Sequence, residues 1–219
     1  MKKHIDFWAY AGTILESVRS GVLLTTAAGG RANTMAISWG TIGIEWGRPI
    51  FTTFVRTGRF TRELLERNGE FTVNVPMRGS DLSLVGKCGS CSGRNVDKFE
   101  QFGLTPETGE QVSVPGIREF PLTLECRVIY RQEQDKSAMP AEVIEECYPQ
   151  NVGTENCGCN RDVHIAFVGE IVNAYIIGKD DAPDEDDEFD DNDILDHVED
   201  SGKILDEDDF DRCPDDDED

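Results

Sequence analysis

Near the N-terminus the apolar positions fall at Phe7, Trp8, Ala11, Ile14, Leu15 and Val18. Spacings of three and four put them on one face of a helix, so Ile5–Val18 is predicted to be amphipathic and to end before Gly21. The period then shortens. Val22–Ala28 (VLLTTAA) is a compact run rich in β-branched residues, and Gly29-Gly30 after it signals a turn. Thr34–Trp39 and Ile50–Val55 are two more strand candidates, separated by a polar loop with Gly43 and Gly47. Phe71–Val75 alternates apolar and polar and is closed by Pro76. Leu122–Tyr130 alternates strictly, with the even-numbered positions on one side. Val163–Ile177 is a long strand, predicted to bend at Gly169.

Short helices are predicted between these runs, at Thr61–Arg67, Ser80–Val85, Val96–Phe102 and Pro140–Cys147, the last with proline at its start. Lys87–Arg94, Thr105–Arg118 and Tyr148–Asp162 read as loops. Six or so strands without regular strand–helix alternation predict a mainly β fold, an antiparallel barrel with short peripheral helices.

Charge divides the chain. Of 44 acidic and 21 basic residues, 23 acidic and 2 basic lie in residues 180–219, so residues 1–179 keep 21 acidic and 19 basic. The expected organisation is one nearly neutral domain over 1–179 and an acidic, disordered tail over 180–219. The tail has no EF-hand pattern with its central glycine and final glutamate. A basic patch for nucleic acid is missing from the sequence, and the tail would repel it. No apolar run nears the ~20 residues of a membrane span, and the first residues do not read as a signal peptide. The expected location is cytoplasmic, with reduced thiols.

The seven cysteines include Cys88-x-x-Cys91 and Cys157-x-Cys159. They read as unpaired thiols, as a redox dithiol, or as four soft metal ligands if the two loops meet. Cys126 falls on the alternating face of a strand and is expected to be buried.

Arg56-Thr57-Gly58-Arg59-Phe60-Thr61 follows a strand and opens a helix. It offers two guanidiniums and two hydroxyls beside a helix N-terminus, the usual means of holding a phosphate. The other reading is an ordinary cationic turn.

Four blocks carry a resemblance. They are Asn33-Thr34-Met35 with Ser38-Trp39; Phe54 to Thr61 with Leu64-Leu65; Lys87-Cys88-Gly89 through Ser92-Gly93-Arg94 to Asp97-Lys98-Phe99; and His164-x-x-Phe167-x-Gly169-Glu170-Ile171-Val172. In this order, over about residues 10–178, they resemble the flavin reductase-like family of FMN-binding split barrels, flavoredoxins included. The resemblance implies a homodimer with FMN in a groove between subunits. It implies that Asn33, Thr34 and Met35 line the flavin ring, and that Ser38 and Trp39 border it. Arg56, Thr57, Arg59 and Thr61 would hold ribityl and phosphate. Lys98 would add a second cationic contact, from its own or the partner subunit, and Phe167 would pack at the ring. NADH or NADPH is the implied electron donor, and a small molecule or a protein the acceptor. The family needs no dinucleotide fingerprint, and the sequence has none after a strand. A non-enzymatic FMN electron carrier fits the same residues. His164 opens a strand and reads as a structural histidine.

Overall fold

The computed structural model describes residues 1–153 and 160–178. The acidic segment and Cys157, Cys159 and Cys213 lie outside the described residues.

The chain begins with β1 (Lys2–His4) and α1 (Phe7–Ser20), followed by β2 (Val22–Ala28), β3 (Arg31–Ile37), β4 (Gly40–Glu45) and β5 (Arg48–Arg56). Next come α2 (Phe60–Asn68), β6 (Glu70–Val75), α3 (Ser83–Gly89) and α4 (Lys98–Phe102). The two-residue strands β7 (Pro106–Glu107) and β8 (Gly116–Ile117) precede β9 (Leu122–Glu133), α5 (Ala141–Cys147) and β10 (His164–Ile177). One antiparallel sheet runs β3-β2-β6-β9-β10-β5-β4, and β1 pairs with the end of β10. The expected mainly β antiparallel barrel with short helices is the fold found.

Chain connectivity explains why this sheet curls. Its two outer strands, β3 and β4, are successive in sequence and joined only by Ser38 and Trp39. Three Cα–Cα steps span at most about 11 Å, so one end of each outer strand must lie close to the other. The sheet therefore rolls up without β3 pairing with β4, which leaves a barrel split at the Ser38–Trp39 link. β4 itself occupies what the sequence reads as a polar loop. Its exposed Thr41 and Ile44 give it no clean alternation, and pairing with β5 in register from Gly40–Thr53 to Glu45–Arg48 sets its conformation.

Leu24, Phe51, Phe71, Leu124, Phe167 and Ile176 meet in the main core. β2 has apolar neighbours on both faces. Val22 and Leu24 join the main core, while Leu23 packs with Leu84, Val85 and Phe120 in a second cluster beneath α3. That explains a strand without alternation. On α1, Asp6 caps the first turn by accepting from the Trp8 N–H at 3.1 Å, and Phe7, Ile14 and Val18 are buried. Trp8 and Leu15, predicted for the same face, are exposed. Gly169 marks a shift in the β9–β10 register, as its bend predicts, and a Cβ there would stand 2.5 Å from the Phe71 ring. Among the described residues no helix is long and apolar enough to cross a membrane.

Candidate functional site

The split opens into a cavity of about 440 Å³. The end of β3, the Ser38–Trp39 link, the end of β5 and the start of α2 form one side. The residues from Cys88 to Lys98 form the other, and His164 at the start of β10 closes an end. Trp39, Phe54 and Phe60 supply aromatic surface, and Met35 supplies a thioether. Arg56, Arg59, Arg94 and Lys98 border the cavity, and none of its described lining residues is Asp or Glu. An acidic protein thus holds a cationic cavity.

These cations differ in what they already do. Arg56 is 7% exposed. Its Nη1 donates to the Asn160 and Asp162 carbonyls at 3.2 and 2.7 Å, and its Nη2 to the Cys147 carbonyl at 3.0 Å. It fastens the segment before β10 to the end of β5. Arg94 donates to the Gly58 carbonyl at 2.9 Å and to the Glu63 carboxylate, which it holds below the usual carboxylate range. Lys98 is buried and donates to the Cys88 carbonyl. Arg59 stands just before α2, and among the described residues its guanidinium has no hydrogen bond or ion pair.

Asn33 Nδ2 donates to Thr61 Oγ1 at 2.9 Å, tying β3 to the first turn of α2. Gly93 lies against that pair. A Cβ at Gly93 would fall 1.8 Å from Asn33 Oδ1 and 3.1 Å from the Phe60 ring. Arg31 and Arg94 both stack on Phe60, with guanidinium carbons 4.9 and 5.8 Å from the ring centre.

His164 is buried, and its ring centre lies 4.8 Å from that of Trp39. Burial, followed by the Arg56 and Arg59 guanidiniums, pushes it down to about 3, so it is neutral at neutral pH. The Tyr148 hydroxyl donates to Gln134 Oε1 at 2.8 Å and contacts His164 Nδ1 at 2.8 Å. A hydroxyl has one proton, so this network assigns the hydrogen to Nδ1 and leaves Nε2 an acceptor.

The structure brings Asn33, Met35, Ser38, Trp39, Arg56, Arg59, Thr61 and Lys98 around one cavity. Three expected residues are elsewhere. Thr34 lies between Asn33 and Met35 on a strand, so its side chain takes the opposite face; its hydroxyl is fully buried and donates to the Leu24 carbonyl at 3.3 Å. Phe167 has the parity of Ile165, not of His164, and sits in the main core at 1% exposure. Thr57 is used through its backbone: its N–H donates to the Val163 carbonyl, and its carbonyl accepts from Arg62 Nε, both at 3.0 Å. Lys98 shares this cavity with Asn33 and Trp39 of its own chain, because α3 and α4 pack back on β3. The sequence reading gave no role at the cavity to Phe60 or Cys91. The Gly- and Ser-rich run around Cys91 was the available signal.

The model of the family described as "Flavin reductase like domain" matches residues 15–191. The chain belongs to this family. Flavoredoxin of Desulfovibrio vulgaris (Miyazaki F) is similar at 26% identity and a TM-score of 0.54, over 74% of this chain and 73% of that one. Flavoredoxin from Methanosarcina acetivorans is similar at 27% identity and a TM-score of 0.51, over 72% and 68%. An FMN-binding domain of a flavin reductases-like enzyme from Shewanella baltica shares the fold at 18% identity and a TM-score of 0.52, over 80% and 77%. Among curated relatives, an uncharacterized protein of Archaeoglobus fulgidus is 32% identical over 52% of this chain, and Escherichia coli YddH is 33% identical over 45%. The chain spans 64% and 52% of those two relatives' lengths. The architecture is thus the split barrel of flavin reductase-like proteins.

Proposed function

We propose that the cavity binds FMN and that the protein is an FMN-dependent oxidoreductase. One observation carries this reading: a cationic cavity with aromatic walls in which, among the described residues, Arg59 is uncommitted at the start of α2. FMN combines a phosphate, a polyhydroxyl chain and a flat ring with an amide-like edge, and the residues present fit each part. Arg59 and the first-turn N–H groups of α2 suit the phosphate. Thr61 keeps its hydroxyl proton while accepting from Asn33, so it can donate to ribityl or phosphate oxygens. Trp39, Met35 and Ser38 suit the ring and its edge. The volume lies in the usual range of roughly 300–1,000 Å³ for small-molecule sites. The Shewanella baltica domain, described as FMN-binding, supports the same cofactor.

When bound, FMN supplies two-electron redox chemistry; the chain's residues hold it, orient it and exclude water. The proposed donor is NADH or NADPH, and the acceptor a small molecule or a protein. The likeness to two flavoredoxins favours a second reading, an FMN electron carrier reduced by a protein partner. Rapid bleaching of the flavin band on anaerobic mixing with NADH or NADPH supports the enzyme. Bleaching only by a reduced protein supports the carrier. We also propose a homodimer. It is supported by two sheet edges, β3 and β4, that are unpaired among the described residues, and by exposed Ile44 and Trp46 beside one of them.

The cofactor is tested through Arg59. A charged hydrogen bond contributes about 1.5–3 kcal/mol, so Arg59→Ala should weaken FMN binding roughly 10- to 100-fold. Riboflavin, which lacks the phosphate, should be much less affected in the same titration. Equal losses for both would put Arg59 away from the phosphate.

A further inference from the structure

Cys88 and Cys91 both border the cavity. Cys88 lies in the last turn of α3, and Ser90 after it keeps helical angles, φ -75° and ψ -13°. The Cys91 thiol donates to the Lys87 carbonyl at 3.7 Å, repeating the four-residue spacing of a helix. The backbone ladder ends one residue earlier, with the Ser90 N–H on the Gly86 carbonyl at 2.9 Å, and the thiol contact keeps Cys91 against the last turn that carries Cys88. Positions three apart on a helix have Cβ atoms roughly 5–6 Å apart. A disulfide needs about 3.5–4.5 Å, so closure takes a shift of roughly 1–2 Å. That shift falls beyond the helix end, where Ser92 and Gly93 follow.

Their surroundings differ. Cys88 is fully buried beside Leu84, Val85 and Leu23. Burial pushes its thiol up to about 11, and the Lys98 ammonium opposes that shift. Cys91 is half-buried and belongs to neither core cluster. Filling the core explains Cys88 but gives no reason for Cys91.

We propose that Cys88 and Cys91 form a redox-active dithiol that reduces a small, anionic disulfide admitted to the cavity. The cavity's volume sets the size, and the cationic lining, with no Asp or Glu among its described residues, sets the charge. In the first step the Cys91 thiolate attacks one sulfur of the substrate. The substrate S–S bond breaks, one thiolate leaves and takes up a proton, and a mixed disulfide forms on Cys91. Cys88 then loses its proton and attacks Cys91 Sγ. The second substrate thiolate leaves and is protonated in turn. Two protein thiols are oxidised to a disulfide, and one substrate disulfide is reduced to two thiols. Excess thiol in solution reverses both steps. None of these steps uses the flavin, which would fill the same cavity, so the disulfide is reduced by the flavin-free chain and the dithiol stands or falls apart from the FMN reading. Lys98 beside Cys88 stabilises the second thiolate as it forms.

The test uses the full chain in anaerobic mixtures of glutathione and glutathione disulfide, quenched with acid and alkylated. Trypsin cuts after Lys87 and Arg94, so both cysteines travel on one peptide, residues 88–94, with no other cysteine. As the mixture becomes more oxidising, that peptide should pass from doubly alkylated to internally bridged, two hydrogens lighter than its free dithiol, in one two-electron transition. Cys88→Ser should accumulate glutathione on Cys91, the trapped first step. In urea the same bond should form at least about tenfold less readily, because the turn no longer holds the thiols together. The proposal is overturned if the peptide stays doubly alkylated throughout or if its cysteines pair with others of the chain. An unmodified Cys91 in Cys88→Ser, or equal bridging in urea, overturns it as well.

Discussion

Arg56 and Arg59 are three positions apart and chemically identical, yet they do different work. Arg56 gives its guanidinium to three carbonyls between Cys147 and Asp162, while Arg59 has no such partner among the described residues. The sequence showed two cations beside a helix start; it did not show the carbonyls, which lie about a hundred residues further on. His164 registers both arginines. Its value, pushed down to about 3, lies below the ~6.5 of an unfolded chain. Above pH 6.5 both states are neutral and the shift has no effect on stability. As pH falls from about 6.5 towards 3, the unfolded chain takes up the proton and the folded one does not, so stability is lost. The slope from this group should approach about 1.4 kcal/mol per pH unit. Urea unfolding from pH 7 to pH 4 should show it, and His164→Gln should remove that part of the pH dependence. An unchanged profile in the variant would mean that His164 is solvated.

At the scale of elements, β3, α2 and the turn before α4 meet at Asn33, Thr61 and Gly93. The Asn33–Thr61 hydrogen bond is buried, and Gly93 leaves no room for a side chain beside it. Gly93→Ala should push Asn33 out of place. Overpacking of this kind costs about 1–3 kcal/mol, and the melting temperature should fall accordingly. FMN affinity should fall with it by roughly 10-fold or more, measured by equilibrium dialysis. A variant with native melting temperature and native affinity would show that the turn moves aside freely. The long strands were legible because Leu122–Tyr130 and Val163–Ile177 carry their own period. β4 was not, because pairing with β5, rather than its own pattern, makes it a strand.

For the whole molecule, the link of two residues between the outer strands makes the barrel and its cavity a single feature. Arg59 and Lys98 border that cavity from one chain. A mixed dimer of Arg59→Ala and Lys98→Ala subunits should therefore carry one lesion at each cavity and no intact site. Dialysis should find no tight FMN in the mixture. Recovery of about one tight FMN per mixed dimer would mean that the two residues serve one flavin from opposite subunits. Size-exclusion chromatography of the native chain tests the dimer itself.

The sequence by itself determined the class of fold, the order of the main strands and the residue types at the split. These follow from local periods and from motifs a few residues long. Only the tertiary structure decided which of those residues share the cavity. Strand parity turned Thr34 and Phe167 away from it, and distant carbonyls engaged Arg56. The return of α3 and α4 over β3 set Lys98 and the Cys88–Cys91 turn against the same chain's own Asn33 strand. Those contacts join residues tens of positions apart, and their physical cause is the rolling of the sheet into a barrel that stays split between its two outer strands.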